Sequence, residues 1–344
     1  MVFSEYILKL PYSVIWYMRR LFRSKREVIF YCDNILDYLY FKNDLKYLPE
    51  VKVVAKNKKV QFELNRYNVI STLYPAFPDV LITARHPLHK FPVKLIYKIG
   101  VRHGVYHFKN FIATEKFNRF DAYFMSSKYE VEEAKHLGIR NVYSCSTPKS
   151  DDFFDDEKIN EFKEFRKQFD DREIILFSAT WDKSGLGAVE KWYDKLDLLS
   201  GKFNIIVTLH PWISQEYKEK VKSNKNIHFI EDNDLNKYLY ISDYLVSDTS
   251  SIIGEFACLQ KPIITFKIPV QGRLIQNVVD MLEEMSYRVD DFEEIEGVIG
   301  LIQANGDVKA PIYEKYLNIL YDLPFGNNGK KRAEMIRKLI EENT

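Results

Sequence analysis

From residue 27 onward, short runs of β-branched and aromatic residues alternate with segments whose apolar positions recur at helical spacing. The runs at 28–32, 51–55, 69–73, 80–83 and 96–102, continued by 122–125 and 142–145, predict strands. Segments 34–47 and 128–137 between them predict helices or connections, and Gly138 stands where a helix C-terminus takes a left-handed residue. The pattern then changes. Residues 147–172 are rich in charge, hold Pro148, Asp151, Asp152, Asp155 and Asp156, and include an amphipathic stretch at 158–169 that predicts a connecting helix. A second alternating series opens at 173. It predicts strands at 174–178, 203–209, 227–230, 244–246 and 262–266, with helices at 187–199, 216–223, 235–241 and 252–259. A strongly charged helix is predicted at 330–342. Strand–helix alternation of this kind marks a parallel sheet wound on both faces.

The expected fold is therefore α/β, with two Rossmann-like domains and a deep interdomain cleft. The expected boundaries are an N-terminal domain at 27–150, a linker at 151–172, a C-terminal nucleotide-donor-binding domain at 173–325 and a C-terminal helix at 326–344. Residues 1–26 precede these as an amphipathic basic helix. Ile7, Leu10, Val14, Met18 and Leu21 recur at helical spacing near Trp16 and Tyr17, and Arg19, Arg20, Arg23, Lys25 and Arg26 follow. Pro11 is expected to bend this helix or to sit in its first turn. An apolar face flanked by arginines and Trp suits an anionic membrane surface, reached through residues 5–26. The same face equally suits packing on its own domain or on a second subunit, so homo-oligomerisation stays open.

The chain has 344 residues, enough for two ordinary domains. Its formal net charge of +1 gives no field that favours nucleic acid. Cys32, Cys145 and Cys258 lie far apart without a CxxC pair, which argues against zinc and fits a reducing cytoplasm. No apolar run precedes a small-residue cleavage site, and none is long enough to span a bilayer.

In parallel sheets ligands bind at the carboxyl ends of strands, and four polar clusters fall there. The first is Ser247, Asp248, Thr249, Ser250 and Ser251 ahead of a predicted helix, with Glu255 one turn on. Hydroxyls at a helix start suit phosphate oxygens, and Glu255 suits ribose hydroxyls. The plainer readings are N-capping and a solvated helix charge. The second is His210, Pro211 and Trp212, where the histidine is placed to meet a diphosphate or to mark a structural turn. The third, Arg102, His103 and Gly104, places His103 as an acceptor-side base, with Gly104 allowing close backbone approach. Arg85 and His86 occupy a similar strand end. The fourth is Ser178, Ala179, Thr180 and Trp181, whose indole suits either a nucleobase or an interdomain wall. No GxGxxG, no GxxxxGK[ST] and no strand-end DxD appears, so no cofactor and no metal is expected.

With these motifs placed, the chain resembles the CDP-glycerol glycerophosphotransferase family of teichoic acid and capsule synthesis. The resemblance covers about 95–266. It runs through His103-Gly104 with Lys109 downstream, Pro148-Lys149-Ser150-Asp151, Ser178-Ala179-Thr180-Trp181, His210-Pro211, and Asp248-Thr249-Ser250-Ser251 with Lys261-Pro262, in the family's order. Thr249 stands where the family usually carries Tyr, Glu255 near its Asp, and no Arg-Gly-aromatic segment follows in 267–280.

The resemblance implies a GT-B fold and a cytoplasmic enzyme held peripherally on the inner face of the cell membrane. The reaction it implies is transfer of glycerol-phosphate or a related polyol-phosphate from a CDP-activated donor to a lipid-linked or polysaccharide acceptor. His103 would act as base and His210 would contact the diphosphate. Ser178, Thr180, Trp181, Pro211, Asp248, Thr249, Ser250, Ser251 and Glu255 would bind donor, and Gly104, Lys109, Arg85 and His86 would lie on the acceptor side. The helix start at 250–251 would stabilise the leaving nucleotide without a metal. Rival readings are a nucleotide-sugar glycosyltransferase, a UDP-N-acetylglucosamine 2-epimerase-like isomerase and a non-catalytic scaffold.

Overall fold

A computed structural model describes residues 3–102, 104–105, 113–269 and 276–343. The described chain forms two compact units. The first takes in residues up to 104, 113–151 and the C-terminal stretch from 321, and the second holds 152–320.

The first unit is built on seven strands: β1 (Val28–Cys32), β2 (Lys52–Ala55), β3 (Ser71–Leu73), β4 (Val80–Thr83), β5 (Tyr97–Val101), β6 (Ala122–Met125) and β7 (Val142–Ser144). All pair in parallel, in the order β3-β2-β1-β4-β5-β6-β7. Every residue of β1, β4 and β6 is buried, which is why these strands read as unbroken apolar runs. Phe30 and Phe41 stack at 4.3 Å in the core on one face of the sheet. The C-terminal helix Asn328–Asn343 closes that core with Ala333, Ile336 and Leu339. It lies so close to the helix Ile35–Leu45 that a Cβ on Gly329 would sit 2.5 Å from the Asn43 carbonyl oxygen.

The helix Phe3–Leu21 contains Pro11 and has two unlike faces. Trp16 and Tyr12 are buried, donating 2.6 Å hydrogen bonds to the carbonyls of Pro78 and Ala76. Arg20 and Arg23 pair with Asp79 at 2.7 and 3.1 Å. Leu10, Val14, Tyr17, Met18 and Leu21 form a separate stripe that stays exposed, Leu10 at 72% and Leu21 at 82%. Packing on its own unit thus uses Trp16 and Tyr12, and the exposed stripe carries most of the apolar positions that repeat in the sequence.

The second unit has six strands: β8 (Ile174–Ala179), β9 (Asn204–Leu209), β10 (His228–Phe229), β11 (Tyr244–Ser247), β12 (Ile263–Phe266) and β13 (Tyr287–Val289). They too are parallel, ordered β10-β9-β8-β11-β12-β13. The strand β13 and the helices Gln276–Met285, Glu294–Asn305 and Ala310–Leu320 extend the unit beyond the predicted series.

One expected helix is absent. Residues 187–199 form short turns, Val189–Lys191 and the start of Asp197–Ser200. Their apolar side chains Val189, Trp192, Leu196 and Leu199 are still buried. The backbone just before them is held elsewhere, with Ala188 N–H donating to Asp248 and a Cβ on Gly187 falling 2.9 Å from the Thr180 carbonyl oxygen.

Candidate functional site

In each sheet the strand order reverses beside the first strand, between β1 and β4 and between β8 and β11. The carboxyl ends of the strands flanking such a reversal open a crevice where ligands bind. In the second unit those ends are Ala179 and Ser247, and a single carboxylate ties them together. Asp248, 1% exposed, accepts the backbone N–H of Thr180 at 2.8 Å, of Ala188 at 3.1 Å and of Thr249 at 2.6 Å. Burial pushes its carboxyl pKa up against the pull of these donors. The Thr249 hydroxyl donates to the Leu186 carbonyl at 3.0 Å, and the Ser247 hydroxyl to the Ser178 carbonyl at 3.1 Å. Of the expected donor-binding residues, Ser178, Thr180, Asp248 and Thr249 are therefore buried in the frame of the crevice. Asp248 and Thr249 spend their side chains on the protein's own backbone.

Ser250 and Ser251 follow, half-buried. The helix begins at Ile252, its predicted start, and runs only to Ala257, so its macrodipole is small. What this turn offers a phosphate is its hydroxyls and backbone N–H groups. Glu255 is buried within that helix, at 6% exposure.

The loops after β8 and β9 are joined by a second carboxylate. Asp182 accepts the backbone N–H of Ser214 at 3.0 Å and also its hydroxyl. The loop after β9 carries His210, Pro211 and Trp212, and the loop after β8 carries Trp181. The Trp212 backbone N–H donates to His210 Nδ1 at 3.1 Å. A ring nitrogen that accepts carries no proton, so the neutral imidazole bears its proton on Nε2. His210 is thereby set up to donate a hydrogen bond, as a contact to a phosphate oxygen requires. Pro211 is exposed, and the half-buried Trp181 stands edge-to-face with Trp212, ring centres 5.5 Å apart. Sequence reasoning missed Asp182 and the 186–188 loop, which no local motif marks.

At the reversal point of the first sheet, Arg85 follows β4 and donates through Nε to Asp37 Oδ1 at 2.7 Å. Asp37 is fully buried and also accepts the backbone N–H groups of Asp33 and Asn34. Burial pushes its carboxyl up, opposed by Arg85. This acid was not foreseen, since three residues after Asn34 it reads only as half of a capping box, which it also forms. The His86 ring sits among Phe117, Phe120 and Tyr123, and burial lowers its pKa to about 4. Gly104 has φ +151°, backbone that L side chains rarely adopt. His103 and Lys109 lie outside the described residues. Before them, Arg102 is buried and paired with Glu130 at 3.3 Å. Among the described residues no group of three His, Cys, Asp or Glu is placed to hold a metal ion.

A family model described as CDP-Glycerol:Poly(glycerophosphate) glycerophosphotransferase matches residues 85–271, which include both reversal-point loops at Arg85 and Asp248. A teichoic acid poly(ribitol-phosphate) polymerase of Bacillus spizizenii is 25% identical over 176 residues, covering 47% of this chain and 26% of the relative. The teichoic acid ribitol-phosphate polymerase TarK of Staphylococcus aureus is 25% identical over 193 residues, covering 46% of this chain and 37% of the relative. The matches thus span between 26% and 37% of these relatives' length. The solved structure of the wall teichoic acid polymerase TagF shares the fold, with TM-score 0.70, 14% identity and 98% of both chains covered.

Proposed function

The chain belongs to the CDP-glycerol:poly(glycerophosphate) glycerophosphotransferase family, and from that premise we propose that it transfers a polyol-phosphate group from a CDP-activated donor to a cell-surface polymer acceptor. The observation that carries this reading is the second unit's crevice. There Asp248 and Asp182 tie together the loops after β8, β9 and β11, and the loop after β9 carries His210, whose neutral ring bears its proton on Nε2, the form that donates to a phosphate oxygen.

The acceptor hydroxyl attacks the phosphorus that bears the polyol. An acceptor-oxygen–phosphorus bond forms and the bond to the bridging diphosphate oxygen breaks. The hydroxyl proton passes to His103, and CMP departs with the added negative charge. His210 Nε2–H and the groups of the Ser250–Ser251 turn meet that charge.

The exposed stripe of the helix Phe3–Leu21 supports a second part of the same reading, peripheral attachment to an anionic membrane. Leu10, Val14, Met18 and Leu21 would enter the interface while Arg19 and Lys25 meet the headgroups. Among the described residues no helix is long and apolar enough to cross a membrane.

The leaving group tests the reaction class. Phosphotransfer from a CDP-polyol releases CMP, whereas glycosyl transfer from a nucleotide sugar releases a nucleoside diphosphate. Incubation with CDP-glycerol, CDP-ribitol and UDP-sugars in the presence of teichoic acid acceptor should yield acceptor-dependent CMP. Release of UDP alone would overturn the reading in favour of a glycosyltransferase.

A further inference from the structure

Trp212 is 68% exposed, an unusual position for the largest apolar side chain. Its neighbours hold it there. Pro211 presets the turn from His210 to Ile213, which is closed by the Ile213 N–H on the His210 carbonyl at 2.9 Å. The Trp212 N–H is fixed on His210 Nδ1, and Ser214 is fixed on Asp182. The indole meets Trp181 at 83° and the His210 ring at 72°, each with 5.5 Å between ring centres. Both ring contacts are edge-to-face, and neither is a parallel stack. The hydrogen-bonded turn thus presents a large aromatic surface beside His210, the proposed diphosphate contact.

We infer that Trp212 is a stacking platform for the nucleobase of a nucleoside-diphosphate donor, with Trp181 and His210 bracing it from the sides. The inference rests on the donor reading above and deepens it. An exposed indole on a preorganised turn binds a flat base without ordering a loop, so little conformational entropy is lost. Stacking uses the π-face that every base has, so Trp212 supplies affinity while hydrogen bonds elsewhere choose the base.

The test is calorimetric titration of the full chain with CMP, using wild type, W212A and W212F. Because Trp212 is largely exposed, both variants should fold, which thermal unfolding checks. W212A should bind CMP about 5- to 150-fold more weakly, the range for losing one base–aromatic stack, whereas W212F should stay within about threefold of wild type. CMP should also quench wild-type tryptophan fluorescence, and most of that quench should vanish in W212F although binding persists. W212A binding CMP as tightly as wild type, or W212F losing as much as W212A, would overturn the platform and leave the donor reading standing. A wild-type chain that binds no CMP at millimolar concentration would overturn the donor reading itself.

Discussion

Arg332 grips Asp44 through two contacts of 2.7 Å, Nε to Oδ1 and Nη2 to Oδ2, across 288 residues of chain. Both side chains are almost wholly buried, at 1% and 0% exposure. Asp151 adds a second tie, accepting from Asn328 Nδ2 and from the Gly329 N–H at 2.8 Å each. The C-terminal helix is thereby built into the first unit. Removing Arg332 leaves a buried carboxylate without its partner, so Arg332→Met should cost about 3–5 kcal/mol. Adding Asp44→Leu should recover much of that loss. Urea denaturation of the single and double variants measures both, and equal midpoints for wild type and Arg332→Met would refute the account.

His86 gives the first unit a pH dependence with a defined sign. Desolvation lowers its folded pKa from 6.5 to about 4. Between those values the unfolded chain takes a proton that the folded chain refuses. The stabilisation is full above 6.5 and is lost as pH falls toward 4. Allowing for the ring's partial exposure, the loss should be about 2 kcal/mol. His86→Phe should flatten stability across that window, as read from urea midpoints at successive pH values.

Asp248 is expected to act through the backbone it holds. Asp248→Asn keeps the shape but turns an amide NH₂ group toward backbone N–H donors, leaving at least one buried donor unpaired at a cost of about 1–3 kcal/mol. The amides of Thr180 and Ala188 should exchange with solvent faster in this variant, and CMP affinity should fall with them. Unchanged exchange at both amides would show that the carboxylate does not hold these loops.

These cases also indicate what the sequence could carry. The strands β1, β4, β8 and β11 were legible because every position in them is buried, so apolar runs bounded by polar residues mark them directly. The segment 187–199 misled for the converse reason. Val189, Trp192, Leu196 and Leu199 have helical spacing, yet burying that face does not require a helix when Asp248 and Gly187 fix the preceding backbone. The strand-end groups Arg85, His210 and the 248–251 turn were visible as polar breaks after apolar runs. Asp37 and Asp182 were not, because each acts on loops distant in sequence, 48 residues away for Arg85 and 32 for Ser214.

The helix Phe3–Leu21 should respond oppositely on its two faces. Trp16→Ala removes a fully buried indole and its bond to Pro78, and should destabilise the first unit by about 3–5 kcal/mol. Changing Val14, Met18 and Leu21 together to Ser touches exposed positions, so stability should hold while flotation with anionic vesicles falls. Deleting the whole helix would confound the two effects, since it removes the buried Tyr12 and Trp16 together with the stripe. Full flotation by the triple variant would exclude the stripe as the membrane contact.

The two histidines should separate by role. Nδ1 of His210 accepts the Trp212 N–H, so His210 in its neutral form is a donor through Nε2 and is poorly placed to take a proton from an acceptor hydroxyl. The proposed base is His103, the next residue in sequence after Arg102, whose buried side chain pairs with Glu130 beyond the end of β5. His103→Ala should slow transfer by about 10²–10⁴-fold, the range for loss of a general base, while donor affinity stays near that of wild type. His210→Ala removes a phosphate contact present in both ground and transition states, so donor affinity and turnover should fall together. Calorimetric titration of each variant with CDP-glycerol, beside acceptor-dependent CMP release, makes the comparison. If His103→Ala weakens donor binding as severely as His210→Ala, the division of roles is wrong. If it retains full turnover, the base lies elsewhere. His86 would then be a poor substitute, because a ring enclosed by Phe117, Phe120 and Tyr123 with a pKa near 4 is a weak base at neutral pH.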